Sequence, residues 1–179
     1  EGQYVDQYFR TNVYPVLTPM AVDSSRPFPL IYNKSLNIAA LVKEKDKNDE
    51  LDFAMVQVPS VLPRIVEIPG SGERVVILLE QIIERNMPSL FVKHEILAAH
   101  PFRIMRNADL SIDEDEAEDL LKEIEKQLKK RRWGEAIRLE IEENADKRLL
   151  KRLKKELAIH SGDIFSINGP LDLTFLMKM

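Results

Sequence analysis

Cysteine is absent from the 179 residues. That one absence excludes disulfides, Cys-ligated zinc, iron–sulfur clusters and thiol catalysis. Glycine is scarce, at six residues, and none falls in a GxxxxGKS/T or GxGxxG phosphate loop or a GxSxG nucleophile elbow. Gly70 and Gly72 belong to a turn with no phosphate-binding signature after it. Histidine occurs three times, as His94, His100 and His160, each isolated in the chain. His94 precedes Glu95, but no HExxH follows, so no metal site is expected. Aromatic residues make up only 7%, and the single tryptophan, Trp133, stands alone, which leaves little surface for stacking bases. No apolar run approaches the ~20 residues that a spanning helix needs, and no signal-peptide pattern appears. Neither sign of charge dominates: 26 basic and 30 acidic side chains give a net −4. That balance argues against a general nucleic-acid-coating protein, whose affinity comes from excess Lys and Arg, but leaves room for a local basic patch. The first residue is Glu1 rather than Met, and the expectation is a chain processed or excised from a longer one.

What remains is an ordinary globular composition, 44% hydrophobic and 31% charged, in a length that suits one domain and buries a core without staples. The charge is unevenly placed. Residues 113–156 carry 13 basic and 14 acidic side chains in 44 positions. Ala117, Leu120, Leu121, Ile124 and Leu128 recur at helical spacing. Four acids open this run and four bases close it, the order that the helix dipole favours, with Gly134 as a C-terminal cap. The pattern predicts a helix over 113–132. Residues 136–142 then alternate, with Ile137, Leu139 and Ile141 inward, as in a half-buried strand. Asn144 is placed to cap a second helix with Ala145, Leu149, Leu150, Leu153 and Leu157 on its inner face. Residues 113–157 thus read as a helix–strand–helix block whose charges are mostly the wet faces of its helices.

Elsewhere the elements are shorter. Residues 1–12 form an entry segment with a helix over 2–10 that turns Val5, Tyr8 and Phe9 to one side, and Pro15 and Pro19 stop it. Residues 18–33, with Pro19, Pro27 and Pro29, are extended and irregular. A nearly continuous apolar run over 36–42 is a buried strand. A second strand over 53–58 returns antiparallel to it through a polar turn. A strand over 74–78, a short helix over 80–86 and a β-rich stretch over 93–105 broken by Pro101 follow. A late strand covers 164–167, and Gly169-Pro170 opens a terminal helical start. No regular βαβ rhythm and no repeat appears. The expected fold is α+β, a mixed or mostly antiparallel sheet with amphipathic helices packed on it. The six methionines read as core filler. Asn33-Lys34-Ser35 matches a glycosylation sequon by chance.

Two segments are too particular to be generic. In Phe102-Arg103-Ile104-Met105-Arg106-Asn107-Ala108-Asp109, two arginines frame a strand end. Residues three apart in a strand point to opposite faces unless it bends. Guanidinium suits phosphate or carboxylate, and the competing role is an internal pair of Arg106 with Asp109. The proline-guided path over 18–37 lines a channel, grips a neighbouring domain, or straps a sheet edge.

The run Tyr14-Pro15-Val16-Leu17-Thr18-Pro19-Met20-Ala21-Val22-Asp23, continuing through Pro27-Phe28-Pro29 to Asn33-Lys34-Ser35-Leu36-Asn37, resembles the start of the middle, or head, domain of bacterial polyphosphate kinase of the first type. Four matches follow in order: Val58-Pro59 with Leu62-Pro63-Arg64, Phe102-Arg103 with Arg106-Asn107-Ala108-Asp109, Arg138-Leu139-Glu140, and Gly169-Pro170-Leu171. Together they span essentially the whole chain. The resemblance implies a phosphotransferase that reversibly moves the terminal phosphoryl group of ATP onto polyphosphate, through a phosphohistidine and with Mg2+. In that family the acceptor histidine and most of the nucleotide site lie in two later domains, so no catalytic residue is assigned here. The resemblance implies a head domain that makes subunit contacts and shapes the substrate tunnel, inactive as a fragment, with no cofactor of its own. Its partners would be the remaining domains of the same chain, a second subunit of a homo-oligomer and inorganic polyphosphate. Its place would be the cytoplasm, including as a complex at the membrane periphery. Arg103, Arg106 and Arg64 are the candidate polyphosphate-binding residues, and the basic rim of 147–155 is a second place where a polyanion could be attracted. The competing class is a standalone α+β module that binds a protein or a polyanion without catalysis.

Overall fold

A computed structural model describes residues 1–22, 28–45, 51–70, 72, 74–107 and 134–178. Its architecture follows from one run. Residues 36–42 are buried without a break, although side chains alternate sides along a strand. Both faces of strand β2 (Leu36–Glu44) must therefore be covered. Ile38, Ala40 and Val42 point into one apolar cluster and Ala39 and Leu41 into another. Its neighbour β3 (Leu51–Gln57) divides the same way, with Ala54 and Val56 on the first side and Phe53 and Met55 on the second.

Around β2 the described residues build a six-stranded sheet in the order β1-β3-β2-β6-β7-β8, with β1 Met20–Val22, β6 His94–Arg106, β7 Ala136–Glu142 and β8 Ile164–Ile167. Every pairing is antiparallel except β7 with β8. That exception has a local cause, because helix α3 (Lys147–Glu156) crosses over between them. A separate antiparallel hairpin, β4 (Ile65–Ile68) with β5 (Val75–Leu78), lies outside the sheet. The first layer of cover comes from α1 (Gly2–Tyr8), the π turn Phe9–Val13, the hairpin and α2 (Leu79–Leu90), through Val5, Phe9, Val66, Ile82 and Met87. The second comes from α3 and Ile31, through Leu149, Leu153 and Leu157. The fold is α+β with a mostly antiparallel mixed sheet, and no helix among the described residues is long and apolar enough to cross a membrane.

Several expectations needed correction. The entry helix does not stop before Pro15; it relaxes through the π turn into a 3-10 turn, Tyr14–Val16, in which the proline takes a first-turn position where no amide is needed. Helix α2 runs on to Leu90 with Pro88 in its last turn. Strand β6 passes unbroken through Pro101, which stands one residue outside the β6–β7 register. The cap of α3 is Asp146 rather than Asn144: its carboxylate accepts the Arg148 amide at 2.7 Å. Its pKa is lowered to about 2, chiefly by the hydrogen bond from the Arg148 side chain. Ile137 does not face inward. A register shift between Met105 and Arg106 leaves it opposite no partner and 49% exposed, and Ala136 takes the buried position. The terminal segment is a 3-10 piece, Leu173–Lys178. The helix over 113–132 lies outside the described residues.

The bulge makes a sharp contrast between neighbours. Ile137→Ala is expected to cost under about 1 kcal/mol, while Leu139→Ala, fully buried, costs about 2–5 kcal/mol. Chemical denaturation of the two variants checks it.

Candidate functional site

A cleft of about 730 Å³ opens where the turn before β2, the loop after β3, the start of α2 and the C-terminal segment meet. Each wall has a local reason for its shape. Lys34 adopts φ +62, and Ser35 Oγ donates to the Tyr32 carbonyl at 2.8 Å, which closes the turn. Asn37, 1% exposed, donates its side-chain amide to the Ser35 carbonyl and to Ser35 Oγ, so the buried amide is satisfied. Gly169 at φ +129 and Asp172 at φ +52 turn the C-terminal segment back towards the loop after β3.

Arg64 holds these walls together. Its Nε donates to Glu80 Oε2 at 3.1 Å and its Nη2 to Glu80 Oε1 at 2.6 Å, a two-pronged pair with a carboxylate in the first turn of α2. Its Nη1 donates to the Asp172 carbonyl and its Nη2 to that of Leu171. The guanidinium carbon lies 4.6 Å from the centre of the Phe175 ring. Arg64 therefore pins the C-terminal segment to the loop after β3 and to α2.

From Asp172 the network crosses to Arg103. Arg103 Nη2 lies 3.6 Å from Asp172 Oδ1 and Nη1 lies 3.7 Å from Glu140 Oε2, the residue facing it across β6 and β7. Arg103 Nε also donates to the Lys34 carbonyl at 3.2 Å. Glu140 reaches Arg138, whose guanidinium covers the Phe165 ring at 4.1 Å. Arg64 and Arg103 are thus brought together on one aspartate. Arg106 is not. It pairs with Ala136, on the second layer's side of the sheet, and donates to the carbonyls of Ile31 at 2.9 Å and Gly134 at 2.7 Å. Its pKa is lowered by burial. Its proposed partner Asp109 lies outside the described residues. The two arginines of one strand serve opposite faces, as a spacing of three requires.

Sequence reasoning picked out the arginines but missed Glu80 and Asp172, which neutralise them. The available signals were an acid in the first turn of a helix and an Asp directly after Gly169-Pro170-Leu171. None of the three histidines lines the cleft. His100 Nδ1 lies 2.8 Å from Glu142 Oε2. His94 stands opposite Glu44, and Asp52 opposite Val42, so three side chains share a face. The donor atoms of Glu44, Asp52 and His94 lie within 4.8 Å of one another, a set that could hold a divalent cation, and no contiguous motif joins them. The charged side chains lining the cleft are Lys34, Arg64 and Asp172. The cleft contains no paired nucleophile and base among the described residues.

The polyphosphate kinase middle domain family model matches residues 1–179. The polyphosphate kinase of Halalkalibacterium halodurans is 49% identical over the whole of this chain and 26% of its own. That of Exiguobacterium sibiricum is 51% identical over 98% of this chain and 25% of its own. The chain thus spans about a quarter of the length of the curated relatives it matches. The crystal structure of polyphosphate kinase from Porphyromonas gingivalis shares the fold, with a TM-score of 0.77 over 99% of this chain and 25% of that one, at 20% identity.

Two outcomes follow from the charges at the site. Arg64→Met strands the Glu80 carboxylate, only 4% exposed, and is expected to cost about 3–5 kcal/mol. Arg64→Met with Glu80→Leu together should cost well under the sum of the single changes, and a double-mutant cycle with amide exchange over 171–178 reads both the coupling and the loosened segment. The second concerns Glu84. Burial first, then the charges of Glu142 and Glu80, push its carboxyl from 4.5 to about 7. The folded chain keeps this proton to higher pH than the unfolded one, so the stabilisation is complete below about 4.5 and is lost as pH rises through about 7. Glu84→Gln should flatten that fall and melt higher than the parent at pH 8, by ~2–4 °C per kcal/mol recovered, with the gap closing towards acid. Melting curves across pH measure it.

Proposed function

The chain belongs to the polyphosphate kinase middle domain family, and from that premise we propose that it is the non-catalytic middle domain of a full-length enzyme that reversibly moves the terminal phosphoryl group of ATP onto polyphosphate. The observation that carries this is the convergence at the cleft. Lys34, Arg64, Arg103, Glu140 and Leu171 come from segments scattered along the chain, and each stands in one of the stretches that resemble the family. They meet in a single network around Asp172. A domain whose distinctive residues serve to bond its own walls is suited to shaping a path.

In this proposal phosphoryl transfer, the phosphohistidine, ATP and Mg2+ belong to other parts of the full-length protein. The residues at the cleft do not fit a nucleotide site: no glycine-rich loop lines it, and Arg64 and Arg103 face carboxylates already. The domain contributes to subunit contact within a cytoplasmic homo-oligomer and forms part of the wall of the polyphosphate path. Arg64 and Lys34, which line the cleft, are the groups nearest that path, with Arg103 and Arg106 setting the position of the turn beside it.

The test is polyphosphate synthesis from radiolabelled ATP. The full-length protein is expected to make chains and residues 1–179 alone to make none. Lys34→Gln in the full-length enzyme should weaken polyphosphate binding and lower its salt dependence, and Arg106→Ala, which loses the bonds to Ile31 and Gly134, should lower Tm. A lower Tm with unchanged binding would give the arginines a purely structural role, and synthesis by residues 1–179 would overturn the proposal.

A further inference from the structure

Helix α3 carries a charge pattern that its own fold does not explain. Leu149 and Leu153 are fully buried and Leu157 nearly so, which fixes the inner face. At 3.6 residues per turn, Lys147, Arg148, Lys151, Arg152, Lys154 and Lys155 then fall within an arc of about 160° on the outside. Three of the six are engaged. Arg148 pairs with Asp146 at 2.8 Å, Arg152 with Glu156 at 2.9 Å, and Lys154 Nζ donates to Ser161 Oγ. Lys147, Lys151 and Lys155 are exposed and have no side-chain partner among the described residues.

These three stand four residues apart, so they form one row with steps of about 6 Å along the axis. Like charges at that spacing repel. The helix dipole accounts for Lys155 in the last turn but works against Lys147, which opens the helix at its positive end. The only acid within the helix, Glu156, is already held by Arg152. The row therefore costs the fold a little and is matched by no side chain among the described residues, in a chain whose net charge is −4.

We propose that the outer face of α3 binds linear inorganic polyphosphate, laid along the Lys147–Lys151–Lys155 row. The proposal rests on the kinase function given above and adds a contact separate from the cleft. Helix α3 packs with the second layer of the sheet, while Leu79 at the cleft belongs to the first. The geometry selects the ligand. A compact phosphate needs donors that converge on one point, and this row is spread. A membrane surface needs apolar side chains beside the cations, but the leucines of α3 face the core. Single-stranded nucleic acid calls for aromatic platforms, and α3 has none. A flexible linear polyanion needs only evenly spaced cations, and its binding releases counterions from the chain.

The experiment uses the full-length kinase carrying Lys147→Gln, Lys151→Gln and Lys155→Gln together, with the matching triple Lys→Arg variant as a control. Binding of long-chain polyphosphate and of tripolyphosphate is measured across a salt series. The Gln variant should bind long chains roughly 10- to 100-fold more weakly at low salt, with the slope of log K against log salt smaller by about 2, at ~0.7 per phosphate contact. Tripolyphosphate binding should be unchanged, the Arg variant should bind as the parent does, and the Gln variant should melt no lower than the parent. Equal affinity and slope in parent and Gln variant overturn the proposal. Loss of binding to anionic vesicles or single-stranded RNA, with polyphosphate binding retained, also overturns it in favour of those surfaces. If the parent makes polyphosphate and the Gln variant binds it normally, this proposal alone fails. If the parent neither makes nor binds polyphosphate, the functional proposal fails with it.

Discussion

Burial of β2 on both faces is the constraint from which the domain is built. Residues 36–42 have no wet side, so the chain must supply two layers of cover. The segment before β2 contributes α1 to one layer and Ile31 to the other, and the segments after it contribute α2, the small hairpin and α3. Once both layers are in place, the loops at one end of β2 are crowded together. The turn before β2, the loop after β3 and the C-terminal segment have no room to pass without contact. The cleft is the space left between them, and its bonds are those needed where extended backbone is pressed against extended backbone.

This explains why arginine is used there. A guanidinium offers five donors in a planar fork, so a single side chain can satisfy a carboxylate and two carbonyls at once. Arg64 does this for Glu80, Leu171 and Asp172, while Arg106 bonds two carbonyls, those of Ile31 and Gly134. Both link segments remote in sequence. The energetic consequence is asymmetric: such a buried network adds little net stability against an apolar substitute, yet losing one member is costly. Its effect is on uniqueness of arrangement, because the C-terminal segment is held in one position relative to the sheet.

Periodicity made the frame visible in the sequence, and it did so where one element's pattern was undisturbed. The apolar run of β2, the return strand β3, the extent of β7 and the leucine face of α3 all appear where expected. The misses have two causes: a neighbour overrode a local signal, or the element was too short to show one. Ile137 alternates correctly but is displaced by a bulge set by β6. Strand β4 has only four residues between Pro63 and Pro69, too few to display a period. Asn144 and Asp146 are both good caps, and the choice went to the residue with an Arg two positions on. At the site, the arginines stood out but their partners did not. Glu80, Glu140 and Asp172 are ordinary acids until folding brings them within reach. Pairing across 16 and 108 residues leaves no periodic trace.

The distribution of satisfied and unsatisfied charge separates two kinds of cation in this domain. Arg64 and Arg103 are matched by carboxylates, so their field is largely cancelled within a few ångströms. Lys147, Lys151 and Lys155 on α3 are exposed with no side-chain partner among the described residues, and the field of an exposed charge extends over about a Debye length into solvent. A polyanion approaching from outside senses the second set long before the first. In the proposed function that division is chemically coherent: Arg64 and Arg103 hold the wall in place, and the exposed ammonium groups of α3 would supply attraction that varies with salt. Position and attraction would thereby be assigned to different residues.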